Sequence, residues 1–328
     1  MDTTMIAGVE VSRIGLGTWA IGGLEWGAVP DDVAVATCLS AIERGINLID
    51  TAPIYGHGRS EQIIGKAIGV HGRRDAFFIA TKAGLEWNEQ GVFANSTPAR
   101  LRRELEDSLR RLGTDYIDLY QVHWPDPRNP IADTAGLMAQ FQAEGKVRAL
   151  GVSNFSTAQM EEFSTVAPLV SNQLPYNLFE RQIDGEILPR CAANGVAVLT
   201  WSSLCRSLLA GRVQPGMVFD AKDIRSADPK FQEPRFSQYM TAVQRLSGFA
   251  RERYGKTVLE LAVRWVLDRP GVSAALWGAK RPDQLDAVSG VMGWRLDTSA
   301  MAEIDRIVAA YVTDPIGPGY LTPGVRAD

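Results

Sequence analysis

The chain is expected to fold as a closed (β/α)8 TIM barrel, and three observations lead there. Short apolar runs alternate with longer amphipathic stretches along almost the whole sequence. Strands separated by helices imply a parallel sheet. Eight such strands can be counted in 328 residues, a size at which the sheet closes into a barrel. An open doubly wound sheet is the other arrangement that this alternation permits. A single domain over residues 1–328 is expected. It carries a long loop and helix insertion after the seventh strand, and a C-terminal helix plus tail.

The first strand is 13–18. The run Gly15-Leu16-Gly17-Thr18-Trp19-Ala20 imitates a dinucleotide fingerprint. A true fingerprint opens directly into a helix whose N-terminus holds the pyrophosphate. Gly22, Gly23, Gly27 and Pro30 intervene here, so the next helix is expected only at 31–44, stopped by Gly45. Strand 47–51 and helix 60–68 follow, then strand 77–82 and helix 97–112. Strand 116–123 with helix 133–144 and strand 147–153 with helix 156–163 continue the pattern. A short strand at 170–173 precedes a helix at 184–193, and 196–201 is the seventh strand. The stretch 205–234 is too long for a passive connection; such loops are usually functional lids or disordered. Helices at 238–253 and 258–268 lead to the eighth strand, 272–277. A short helix at 281–288, a last helix at 299–310 and a Pro/Gly-rich tail close the chain. In helix 100–111 the leucines fall near helical spacing, while its arginines, Glu104, Glu106 and Asp107 read as a solvated outer face.

Composition excludes several classes. Hydrophobic residues make up 45%, enough to fill a core, and the formal net charge of −4 leaves no nucleic-acid footprint. Cys38, Cys191 and Cys205 have no paired spacing, which suits a reducing compartment and neither a disulfide frame nor a metal site. Asp2 near the start and the lack of an apolar leader predict no signal peptide. No apolar run is long enough to span a bilayer. A cytoplasmic protein, monomeric or weakly self-associating, is the expectation.

In a barrel, chemistry collects where the strands end. The stretch Asn47-Leu48-Ile49-Asp50-Thr51-Ala52-Pro53-Ile54-Tyr55-Gly56 starts apolar, ends on an acid and breaks through a proline turn to a tyrosine. It reads as a buried strand carrying Asp50 to the rim and a loop carrying Tyr55 to the same place. Lys82 ends the third strand and His123 the fourth. Such groups are costly inside a core unless paired, and a lysine beside an aspartate is the obvious mutual solution.

These residues resemble the aldo-keto reductases. The matching segments are Asp50-Thr51-Ala52 with Tyr55-Gly56, Ala80-Thr81-Lys82, 119–123, Gly151-Val152-Ser153-Asn154-Phe155, and Gly278-Ala279-Lys280 with Gln284. Trp201-Ser202-Ser203-Leu204-Cys205-Arg206 and Asp228-Pro229-Lys230-Phe231 are similar to a bacterial NADP-dependent branch of general-stress and inositol-operon type. The resemblance implies an NADP(H)-dependent oxidoreductase that reduces small aldehydes and ketones reversibly. Tyr55 would be the general acid and base, made acidic by Lys82; Asp50 would hold Lys82 and His123 would orient the carbonyl. It also implies a cofactor site. Ser153, Asn154 and Gln173 would grip the nicotinamide carboxamide, and Trp201 would stack on the ring. Ser202, Ser203, Leu204, Cys205, Arg206, Arg212 and Arg225 would run along the phosphates. Gly278, Ala279, Lys280 and Gln284 would hold the adenosine end, with Lys280 on the 2′-phosphate, and Thr18 and Trp19 would lie near the reacting groups. Val288 stands where the family often has an asparagine against the adenine. Trp26, Trp87 and Trp124 are candidates for an aromatic substrate mouth. No metal is implied. Two other readings use the same fold. One is a lyase forming a Schiff base on Lys82, and the other a non-catalytic, cofactor-binding redox sensor.

Overall fold

The computed structural model describes residues 1–326; residues 327 and 328 of the expected domain lie outside the described part. Thirteen strands are numbered here in chain order, among the described residues. Eight of them close into a barrel: β3 (Ile14–Gly17), β4 (Leu48–Asp50), β5 (Phe78–Ala83), β8 (Ile117–Val122), β9 (Val147–Ser153), β10 (Ser171–Pro175), β11 (Ala197–Trp201) and β12 (Val272–Gly278). Neighbouring barrel strands are parallel, and β12 closes on β3 through pairs such as Leu276↔Gly15. The alternation of the sequence is therefore a TIM barrel rather than an open sheet.

Side chains on a strand alternate between faces, and that parity organises the interior. Leu48, Phe78, Ala80, Leu119, Ala149, Leu199, Ala274 and Leu276 form one apolar cluster inside the barrel. Their neighbours Ile49, Ile79, Tyr120, Leu150, Val152 and Val198 pack outward against the helices. Two residues beyond the inward apolar positions stand Asp50, Lys82, Gln121 and Trp201, so the same periodicity that fills the core delivers polar groups to its upper layer. Gly15 leaves room for that core, since a Cβ there would sit 2.7 Å from the Leu48 side chain.

The helices follow the expected order, including Asp31–Glu43, Pro98–Leu112, Val258–Asp268 and Thr298–Tyr311. Ser156 and Thr257 begin their helices with reciprocal capping boxes. Among the described residues no helix is long and apolar enough to cross a membrane.

Several local expectations are corrected. A one-turn helix, Trp19–Gly22, forms ahead of Asp31, ending at Gly23 with φ of 90°. It is too short to present a phosphate-binding N-terminus. Strands β1 (Thr3–Ile6) and β2 (Val9–Ser12) make a hairpin whose Ile6 and Val11 plug the barrel where its strands begin. A second hairpin, β6 (Leu85–Asn88) with β7 (Gly91–Ala94), rises from β5, and the tail adds β13 (Gly324–Val325) to its edge. The 205–234 stretch is folded into short turns at Leu208–Ala210, Ile224–Ala227 and Pro229–Phe231, and the next helix starts at Arg235. The helix expected at 281–288 is split into Pro282–Leu285 and Val288–Val291, and Val288 is buried. Glu104 does not lie on a solvated face. It is 4% exposed, accepts from the Gly84 N–H at 2.7 Å and pairs with Arg100 at 2.9 Å. Burial pushes its carboxyl up to about 7.

Candidate active site

The open end of the barrel holds a cavity of about 740 Å³. Trp19, Asp50, Tyr55, His123, Ser153, Asn154, Gln173, Trp201, Ser202, Ser203, Leu204, Arg206, Arg212 and Arg225 line it, as do Gly278, Ala279, Lys280, Gln284, Trp26 and Trp124. Four of the expected residues do not. Lys82 is fully buried beneath it. Thr18 is also buried and donates its hydroxyl to the Asp50 carbonyl at 2.7 Å. Cys205 packs into the core under the loop that follows β11. Trp87 stands on hairpin β6–β7, stacked on His57 with ring centroids 4.8 Å apart.

At the base of the cavity the Lys82 ammonium donates to both Asp50 carboxylate oxygens at 2.8 Å and to the Thr51 carbonyl at 2.9 Å. It lies 3.3 Å from the Tyr55 hydroxyl. Gln173 adds a 2.6 Å hydrogen bond to Asp50. Burial raises the Asp50 carboxyl and lowers the Lys82 ammonium, while each partner draws the other back toward its charged form. His123 meets the Tyr55 ring edge to face at 5.9 Å. Burial, and then the Lys82 charge, hold its imidazole well below its usual range, so it is neutral.

The expectation that Lys82 acidifies the Tyr55 phenol is corrected. Burial pushes the phenol well above its ordinary range, and the Asp50 and Glu25 carboxylates push the same way. The Lys82 ammonium 3.3 Å from the hydroxyl does not reverse that direction, so at neutral pH the phenol is protonated. An arrangement of this kind can donate a proton to an oxygen placed between Tyr55 and His123, with the ammonium beside the phenolate as it forms.

The loop bearing Tyr55 rests on the one-turn helix with almost no spacing. A Cβ on Gly22 would lie 2.6 Å from the Gly56 nitrogen and from the Tyr55 carbonyl carbon. Gly22→Ala therefore moves Tyr55 rather than the barrel. Turnover is expected to fall by about 10²-fold, since a displacement of 1 Å has that effect. The change in thermal midpoint should be small, and unaltered kinetics would show that the loop has another foothold.

Ser153 donates to the Gln173 carbonyl at 2.9 Å. Asn154, at φ 63°, gives its amide hydrogens to the His123 carbonyl and the Ser153 hydroxyl, each at 3.0 Å. Its oxygen receives the Trp201 indole N–H at 3.2 Å. Asn154 thus fixes the indole that faces the cavity. Arg206 pairs with Glu180 at 2.6 Å and with Asp228, and Lys230 joins Glu180 at 2.7 Å. All four are essentially unexposed, so Arg206 braces the loop after β11 as well as lining the cavity. Arg225 is paired with Asp223 at 2.6 Å. Lys280 donates to the Trp26 and Gly27 carbonyls. Sequence reasoning missed Glu25, the hairpin residues Leu85 and Val92, and the tail residues Tyr320 to Gly324, all of which line the cavity. They sit in segments without periodicity and arrive through tertiary contacts. Among the described residues no cluster of three or more His, Cys, Asp or Glu side chains is placed to hold a metal ion.

The amides and hydroxyl beneath Trp201 suit a nicotinamide carboxamide, and the cations along one side of the cavity suit phosphates. Comparison with known proteins gives the family. Residues 13–309 match the model of the aldo/keto reductase family. The chain is 49% identical to the aldo-keto reductase YhdN of Bacillus subtilis over 330 residues, covering 100% of both. It is 34% identical to the NADH-specific methylglyoxal reductase of Escherichia coli, over 84% of this chain and 88% of that one. The structure of a glycerol dehydrogenase from Gluconobacter oxydans superposes with a TM-score of 0.88 at 46% identity, over 98% and 99% of the two chains. That of a Klebsiella pneumoniae aldo/keto reductase in complex with NADP and acetate gives 0.72 at 28%, over 99% and 97%. With a parallel barrel, a buried lysine–aspartate pair under a tyrosine and a family match over nearly its whole length, the chain belongs to the aldo/keto reductase family of oxidoreductases.

Proposed function

We propose that this protein reduces small aldehydes and ketones with NADPH, reversibly, using Tyr55 as general acid and base. The observation that carries the reading is the 3.3 Å contact between the Tyr55 hydroxyl and a Lys82 ammonium bound to both Asp50 oxygens. The nicotinamide supplies the hydride when bound. Tyr55 gives its proton to the carbonyl oxygen, neutral His123 donates a hydrogen bond to the same oxygen, and Lys82 stabilises the phenolate left behind. Ser153, Asn154 and Gln173 would hold the carboxamide, and Trp201 would stack on the ring.

Relatives named for glycerol and for methylglyoxal support small three-carbon substrates or their alcohols. A Schiff-base role for Lys82 is disfavoured, because its nitrogen is buried below the cavity with its hydrogens engaged by Asp50 and Thr51. Turnover of a panel of small aldehydes by the isolated protein, followed by NADPH consumption, tests the reading against a non-catalytic sensor. No turnover of any aldehyde would overturn it.

NADP over NAD rests on Lys280, with Arg281 beside it, and on the NADP-bound neighbour. A relative described as NADH-specific makes the preference worth measuring. Lys280→Met is expected to weaken NADPH binding by about 10- to 100-fold, the worth of one charge-assisted hydrogen bond, and to leave NADH binding unchanged. Quenching of tryptophan fluorescence reads both. Equal affinities in the unmodified protein would remove Lys280 from this role.

A further inference from the structure

We propose that Glu25 selects the substrate, admitting neutral carbonyls that carry a hydroxyl near the reacting carbon and rejecting carbonyls that carry a carboxylate. The inference rests on the reductase reading above and names the chemical class that the site takes.

Glu25 lies in the glycine-rich segment between the one-turn helix and Asp31, and its side chain lines the cavity. One carboxylate oxygen accepts the Trp19 indole N–H at 3.0 Å. Trp19 in turn stacks on the Tyr55 ring, with centroids 6.0 Å apart and planes 22° apart, and meets Trp26 edge to face at 5.6 Å. The Glu25 backbone carbonyl accepts the Ile224 N–H at 3.1 Å, which pins the segment against the insertion after β11. The carboxylate is therefore held, not swinging on a free loop.

Its other oxygen has no hydrogen-bond partner among the described residues, and no cation forms an ion pair with it. Of the cations around the cavity, Arg212 lines it as well, and three others have partners of their own. Lys82 is bound to Asp50, Arg225 to Asp223, and Lys280 to the Trp26 and Gly27 carbonyls. Beside the paired Asp50 and Lys82 and the neutral His123, the Glu25 carboxylate carries a charge that no ion pair among the described residues compensates. That charge is felt at the reacting end, since together with burial and Asp50 it raises the Tyr55 phenol. A carboxylate brought into the same cleft meets like charge where water is largely displaced. A hydroxyl meets an acceptor oxygen that nothing else occupies. Trp19, Trp26, Leu85 and Val92 line the same cavity, so the carboxylate sets an acceptor beside aromatic and apolar wall.

The test compares kcat/KM, with NADPH, for two matched pairs: propanal against glyceraldehyde, and butanal against succinic semialdehyde. Ratios are compared between proteins, which cancels differences in aldehyde hydration. The unmodified protein is expected to prefer butanal to succinic semialdehyde by at least about tenfold. Added salt should narrow that preference. Glu25→Gln removes the charge and keeps an acceptor. It should raise succinic semialdehyde relative to butanal by about tenfold and leave the glyceraldehyde-to-propanal ratio near its original value. Glu25→Leu removes both, and should in addition lower the glyceraldehyde-to-propanal ratio by about tenfold. NADPH titration by fluorescence confirms that each variant is folded and binds. Ratios unchanged in both variants overturn the role of Glu25 while leaving the reductase reading intact. Absence of NADPH turnover with all four aldehydes overturns the reductase reading itself, and this inference with it.

Discussion

Tyr55→Phe is expected to keep NADPH binding and the thermal midpoint and to lose about 10²–10⁴-fold in turnover, the usual contribution of a positioned acid–base group. The substitution removes one oxygen. The ring keeps its stacking on Trp19 and its edge contact with His123, so the shape of the cavity is unchanged. Lys82 retains both Asp50 oxygens and the Thr51 carbonyl. Only the proton donor goes. The pH dependence follows from the raised phenol. In reduction the group must be protonated, so the rate stays flat through neutrality and falls only above the ordinary phenol range. In alcohol oxidation the phenolate is the active form, so the rate climbs with pH. Turnover in Tyr55→Phe within tenfold of the unmodified protein, or a reduction rate that climbs with pH while oxidation falls, would assign the proton transfer to another group.

How much of this was readable beforehand depends on the kind of contact involved. Asp50, Lys82 and His123 were legible because a polar residue that ends an apolar run has few innocent explanations. The two-residue period then puts Asp50 and Lys82 on the inner face of the barrel. Barrel strands such as β5 and β8 were legible because they are mostly apolar stretches buried on both sides, whereas β10, Ser171–Pro175, is largely polar and reads only as a short strand. Hairpin β1–β2 was not, since four-residue strands with mixed burial leave no period to detect. Hairpin β6–β7 and the tail strand that pairs with it are equally short, and they join segments more than two hundred residues apart. Glu104 looked solvent-facing because helical spacing alone does not show that Gly84 offers it a backbone N–H. Glu25 drew no notice because it stands among glycines, outside any element. The direction of the Tyr55 shift was misjudged for a related reason. A sequence shows a lysine at the next strand's end, but not how deeply the phenol is buried, which is the largest cause of its shift.

Lys82→Met is the substitution that should cost the fold most, about 3–5 kcal/mol, because it leaves the Asp50 carboxylate buried without its cation. Asp50 is 2% exposed and Lys82 is not exposed at all, so water does not replace the lost partner. The penalty is pH-dependent, and its sign can be worked out. Burial already raises the Asp50 carboxyl, and without Lys82 it rises further above the value it has in the unfolded chain. Below that unfolded value both states hold the proton and the penalty from the bare charge vanishes. It then grows as pH climbs from the unfolded value toward the folded one. Urea unfolding of the variant at acidic and neutral pH should show the deficit shrink in acid. The double change Asp50→Leu with Lys82→Met removes both charges together and should recover most of the lost stability, since a buried pair exchanged for apolar groups is often neutral. Turnover should not recover with it, and should stay at least about 10²-fold down, because no ammonium remains to stabilise the phenolate. Stability and activity that return together in the double variant would mean that Lys82 serves the fold alone and that the phenol works without it.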